Sequence, residues 1–263
     1  MMRTVLVLTT LMLGCRERVQ LDGGTRGEAS AALARVLAAA VTEDGWVDYD
    51  QVAAHRDDLE TYLSWVAEPR PVPRRSNHQR SRWLNIHNAL TLWSVLEEGR
   101  PDDMSSRTSI FLREDGSWTQ GRAFQVDGRW TSIWEIRHER LGGRGMSPLD
   151  HAGLYRARRS GPPLRGAPFT PGGVDAELRQ HMRTWMEDGD RGAVVEEDHV
   201  VLDATFEEYA NDFDFWTAGL SPCAFLERRV VDEMKTGLKR LESAGCPVVF
   251  RAHDTRVDDA SRR

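Results

Sequence analysis

The stretch from residue 81 to 98 constrains the fold more than any other. Trp83, Leu84, Ile86, His87, Leu90, Leu92, Trp93, Val95 and Leu96 fall on most sides of a helix, and Gly99-Arg100-Pro101 closes it. A helix apolar around its circumference has no face to give to water, so other elements must surround it. The chain has 263 residues, enough for one large domain or two small ones. Its 9 Trp and 8 Phe supply large buriable surfaces and argue against general disorder.

The remaining segments are assigned around that helix. Residues 31–41 are rich in Ala, Leu and Val and read as a helix, followed by a turn at Asp44-Gly45. Residues 50–67 show helical spacing, ended by Pro69, Pro71 and Pro73, and 70–82 read as a basic, proline-containing loop. Residues 109–128 read as loop plus hairpin, and 133–141 as a helix capped by Thr131 or Ser132. Residues 149–157 fit either strand or helix, and Ser160-Gly161-Pro162-Pro163 is a rigid turn. Helices are expected over 174–188, 205–213 and 221–241, a hairpin over 193–202, and a strand over 247–251. The tail from Asp254 is polar and expected to fray. The pattern gives an α+β class: a mainly helical single domain with a few short strands.

The N-terminus sets the expected compartment. Arg3 precedes a short apolar run ending in Met12-Leu13-Gly14-Cys15. The run is too short to span a bilayer but suits the apolar region of a secretory signal. Its end resembles the bacterial lipobox, with Met12 where Leu is usual. That resemblance implies cleavage before Cys15, acylation there, and a membrane anchored through lipid. An ordinary cleaved signal, or a short buried helix with a chance cysteine, is the plainer alternative. The expected layout is a signal peptide over 1–14, a lipidated tether over 15–29, one domain over 30–258 and a polar tail over 259–263. The protein would sit in the bacterial cell envelope, facing away from the cytoplasm. Disulfides persist there, so Cys223 and Cys246 either pair or are two buried thiols.

Composition excludes several functions. With 35 basic against 41 acidic residues and a net charge of −6, nucleic acid is not an expected partner. There is no P-loop, dinucleotide fingerprint, Cys-x-x-Cys or His-Glu-x-x-His, so no metal or cofactor is expected.

Several segments, in order, resemble the family catalogued as domain of unknown function 547. They are Gly45-Trp46-Val47-Asp48-Tyr49, Trp83 through Leu92 with Asn85 and Asn88, Ile136-Arg137-His138, Asp150-His151-Ala152 through Ser160-Gly161-Pro162-Pro163-Leu164, and Phe206 through Phe213. A weaker likeness covers 249–258. The resemblance implies recurrent histidines at His138 and His151. It also implies that two family cysteines fall at Arg156 and Gly161, neither of which can act as a nucleophile.

Two readings follow. In the first, the protein has a binding or accessory role, with a degenerate cleft around His138, His151 and Asn88. In the second it is a hydrolase or acyl-transfer enzyme using His151 or His138 without a cysteine nucleophile. Glu135, three residues before His138, falls on the same helical face and is a candidate to orient it. Asn85 and Asn88 are candidates to line a polar pocket or to brace loops. Ser160 is a candidate binding residue, though its plainer role is in the turn. Asp212, with Asn211 and Asp214, fits a cation site or, more simply, ion pairs with arginines. The cluster of Arg74, Arg75, Arg80 and Arg82 suits an anionic surface or a solvated loop.

Overall fold

A computed structural model describes residues 17–19, 28–71, 76–103, 117–143, 146–213 and 220–263. The expected signal peptide, Cys15, most of the tether, Arg74, Arg75 and Asp214 lie outside the described residues.

Helix α1 (Ala29–Ala40) packs on α3 (Arg56–Ala67), with the short α2 (Tyr49–Ala54) between them in sequence. The Asp48 side chain caps α2 by accepting from the N–H groups of Asp50 and Gln51. The single helix expected over 50–67 is two. The backbone leaves helical geometry at His55, and Asp57 and Asp58 open α3, where acidic side chains suit the positive helix end.

The apolar helix is α4 (Ser76–Glu97), and its residues are buried on every side, from Trp83 and Leu84 to Val95. It starts earlier than expected, so Arg80 and Arg82 belong to it rather than to a loop. Both point into ion pairs, Arg80 with Asp150 and Asp175 and Arg82 with Asp127. These partners lie far away in sequence, which is why the run reads as solvated when taken alone.

After α5 (Ser117–Gly121) a small sheet forms from β1 (Glu17–Val19), β2 (Arg122–Val126) and β3 (Arg129–Thr131). β2 and β3 make a tight hairpin whose turn residues, Asp127 and Gly128, both have positive φ. β1 pairs parallel to β2, so part of the segment expected as a tether is a strand. Arg18 sits over the Trp130 ring, and β2 offers it a free edge. Then come α6 (Ile133–Glu135), continued as a π-helical turn over Ile136–Leu141, and α7 (Pro148–Ala152). Residues 149–157 are therefore helix first and extended chain after.

Helix α8 (Val174–Glu187) leads into the second sheet, in which β5 (Val200–Asp203) pairs antiparallel with β4 (Ala193–Val195) and parallel with β6 (Val248–Arg251). The expected helix over 205–213 shrinks to α9 (Thr205–Glu208). The one expected over 221–241 splits into α10 (Pro222–Glu227) and α11 (Asp232–Ser243), because Val230 turns into the core between them. Cys223 and Cys246 form a disulfide joining α10 to the turn after α11.

One core cluster surrounds α1, α3 and α4, and a second fills the space between α8, the second sheet and α10–α11. The tail does not fray. Asp258 and Asp259 are fully buried, Asp258 accepting both arms of Arg191 and Asp259 pairing with Arg100. A polar sequence docks here because each buried charge meets an opposite one. Among the described residues no helix is long and apolar enough to cross a membrane.

Candidate functional site

The polar residues of α4 build the floor of the site. The Asn88 amide donates to the Gly153 carbonyl at 2.9 Å and accepts from the Tyr155 N–H at 3.0 Å. The Asn85 amide does the same with Phe169, donating to its carbonyl and accepting from its N–H, both at 2.8 Å. Each side chain replaces a β-ladder partner for a chain segment that has none. Both asparagines are therefore braces for the 153–169 segment. Tyr49, from the first motif, bonds the Tyr155 hydroxyl at 2.9 Å, which fixes the same segment from the other side.

That segment carries the candidate residues inward. His151, at the end of α7, is fully buried between the rings of Tyr209 and Phe213. Its Nε2 bonds the Asp212 carboxylate at 2.9 Å. A carboxylate accepts, so Nε2 carries the proton, and the neutral ring presents a lone pair at Nδ1, which has no hydrogen-bond partner. Burial lowers the pKa of His151, the Asp212 bond partly restores it, and the Arg156 and Arg137 charges lower it further. Asp212 thus pairs with a histidine, not with the arginines expected from sequence.

His138 lies on the π-helical turn, half-buried, stacked on Trp134 with centroids 4.3 Å apart. Its Nδ1 donates to the Trp134 carbonyl at 3.0 Å, leaving Nε2 as the basic nitrogen. Burial lowers its pKa, and the Arg137 and Arg156 charges push the same way while Glu208 opposes them. His138 and His151 therefore share Arg137 and Arg156 as charged neighbours. Glu135 bonds within its own turn. Its carboxylate accepts from the Ser132 N–H and hydroxyl, closing a capping box on α6. Ser160 is held in its turn, its hydroxyl bonding both the carbonyl and the N–H of Asp254.

Arg156 and Arg158 dominate the electrostatics. Arg156 is 8% exposed. Its Nη1 donates to Glu208 at 3.0 Å, and the guanidinium lies over the Tyr209 ring at 4.7 Å. Its Nε and Nη2 are buried without an acceptor, as is the Nε of Arg158. Arg158 donates through Nη2 to the Thr205 hydroxyl and sits 3.9 Å from the same Glu208 oxygen, which His253 also approaches at 3.3 Å. Burial, with the Arg156 charge beside it, pushes Arg158 down to about 10. Burial alone would raise Glu208, but His253, Arg156, Tyr209 and Arg158 together hold it far below the usual carboxylate range. Gly161 adopts φ +86°, and its N–H donates to Asp203.

Sequence reasoning missed Arg158, Glu208 and His253, and treated Arg156 only as a lost cysteine. The available signal was a cation placed in the middle of an otherwise buried motif. Among the described residues, the one group of three converging potential metal ligands is Cys223, Glu242 and Cys246, and its two sulfurs are bonded to each other.

Residues 74–186 match the model of a family described as "Protein of unknown function, DUF547", so this stretch is similar to that family. The match holds α4, His138, His151, Arg156 and Arg158, whereas Glu208, Asp212 and His253 lie beyond it. No curated protein and no solved structure matches the chain.

Proposed function

We propose that this is a lipid-anchored protein of the bacterial cell envelope with a binding or accessory role, centred on the buried cluster of Arg156, His151 and His138. One observation carries the reading. Where the family resemblance places a thiol, this chain holds a permanent cation, paired with Glu208 and stacked on Tyr209. A guanidinium cannot attack a carbonyl, but it grips an anion well. The hydrogen bonds of Ser160 to Asp254 and of Glu135 to Ser132 support the same view, since both side chains serve the local fold. The membrane anchor rests on the lipobox-like Met12-Leu13-Gly14-Cys15.

A second reading has a specific observation behind it. The Asp212–His151 pair, with Nδ1 unpartnered, matches the way a carboxylate orients a histidine base. An enzyme of this kind would use His151 to activate water rather than a side-chain nucleophile. A broad hydrolase screen of the full chain, repeated with His151→Ala, separates the two. We expect no activity that depends on His151; turnover abolished by the substitution would establish the enzyme instead. Mass spectrometry of the mature N-terminus tests the anchor. A diacylated or triacylated Cys15 is expected, and a free Cys15 or cleavage elsewhere would refute it.

A further inference from the structure

Arg156 offers its two idle donors in a particular arrangement. Nη1 is committed to Glu208, so the unpartnered Nε and Nη2 form one edge of the guanidinium plane. That edge is the two-pronged fork that matches two oxygens of a carboxylate or phosphate. Arg158 adds a third buried N–H at Nε, while its Nη2 is held by Thr205. The two guanidiniums are neighbours through the single Glu208 oxygen, at 3.0 and 3.9 Å. Buried guanidinium donors without acceptors are costly, and their natural complement is a group that only accepts.

The acidic groups nearby do not fill that role. Asp203 is bonded to the Gly161 and Thr205 N–H groups, and Asp212 to His151. Glu208 serves Arg156 on the opposite edge. We propose that Arg156 and Arg158 form a binding site for a small oxyanion, a phosphoryl group or a carboxylate, with the Nε/Nη2 edge of Arg156 gripping two of its oxygens and Arg158 Nε a third contact. Glu208 acts as the positioning residue, turning both guanidiniums so that these edges face one ligand. The inference rests on the reading of this buried cluster as a binding site and names the chemistry of its ligand.

Calorimetric titration of the full chain with inorganic phosphate and, separately, with acetate tests it. Saturable binding of at least one anion is expected. Arg156→Lys keeps the charge and the pairing with Glu208 but loses the fork, and should weaken Kd by roughly ten- to a hundredfold, the effect of one or two charge-assisted hydrogen bonds. Arg158→Gln provides a second, independent loss should the first variant fold poorly. Arg56→Gln, on α3 and remote from the cluster, should bind as wild type does. Tighter phosphate than acetate assigns a phosphoryl ligand, and the reverse assigns a carboxylate. The proposal is overturned if neither anion saturates the wild type, or if both cluster variants bind unchanged. His151-dependent turnover in the hydrolase screen would instead overturn the non-catalytic reading, leaving the oxyanion site standing.

Discussion

Replacing Asn88 with Ala should unfold this protein well before any surface change does. The side chain satisfies two buried backbone groups, the Gly153 carbonyl at 2.9 Å and the Tyr155 N–H at 3.0 Å, and both lose their partner at once. An orphaned buried polar group costs about 1–3 kcal/mol, so the pair costs about 2–6 kcal/mol. At about 2–4 °C per kcal/mol for a chain of this size, the melting temperature should fall by roughly 4–24 °C. Thermal unfolding followed by circular dichroism, with the disulfide intact, measures it. Asn88→Asp should also destabilise: its carboxylate still accepts from Tyr155 but sets a charged oxygen against the Gly153 carbonyl. A melting temperature for Asn88→Ala within about 2 °C of wild type would refute the bracing role, since that is less than one orphaned group costs.

Three further outcomes follow from the same physics. Gly45 has φ +77°, and an added Cβ would lie 2.4 Å from Pro163 Cβ, so Gly45→Ala should cost more than the ~1–2 kcal/mol of a left-handed residue alone; a neutral result in chemical denaturation would show that the two motifs do not meet there. Reducing the Cys223–Cys246 bond, 23 residues apart in sequence, should remove about 3 kcal/mol of stability, and identical midpoints with and without reductant would exclude the bond. Burial pushes His87 down to about 3 and His181 down to about 4, so the unfolded chain binds protons first. Stability is therefore complete above pH ~6.5 and falls below it, by about 1.4 kcal/mol per pH unit per histidine. Denaturation midpoints at pH 7 and pH 5 measure this, and His181→Gln should flatten the slope; an unchanged slope would refute that assignment.

The elements carried by local patterns were legible in the sequence. The all-round apolar character of α4 required a central helix, and Ser132 with Glu135 signalled the capped turn before His138. The motifs proved to be parts of one arrangement. Gly45 abuts Pro163, Tyr49 meets Tyr155, and Asn85 and Asn88 hold the chain between them. Long-range pairing was what the sequence could not display. Arg80 and Arg82 looked solvated until Asp150, Asp175 and Asp127 arrived from other elements. The tail looked loose until Arg191 and Arg100 met Asp258 and Asp259. The site suffered from the same blindness. His138 and His151 were visible as motif residues, but Glu208 and His253 approach Arg156 and Arg158 only through the fold. An arginine in a motif that elsewhere holds cysteine signals lost thiol chemistry, and only the geometry reveals its idle donor edge.

The central claim is that Arg156 and Arg158 hold buried guanidinium N–H groups ready for an oxyanion. Their Nε–H resonances, assigned by their loss in Arg156→Lys and Arg158→Lys, can be followed in ¹H–¹⁵N spectra as phosphate or acetate is added. The account predicts that these two signals move together and saturate, while the Nε–H of Arg191, 3.6 Å from the Asp188 carboxylate on a guanidinium whose two Nη groups bond Asp258, stays in place. Stationary signals at Arg156 and Arg158, or a drift shared by every arginine, would contradict it.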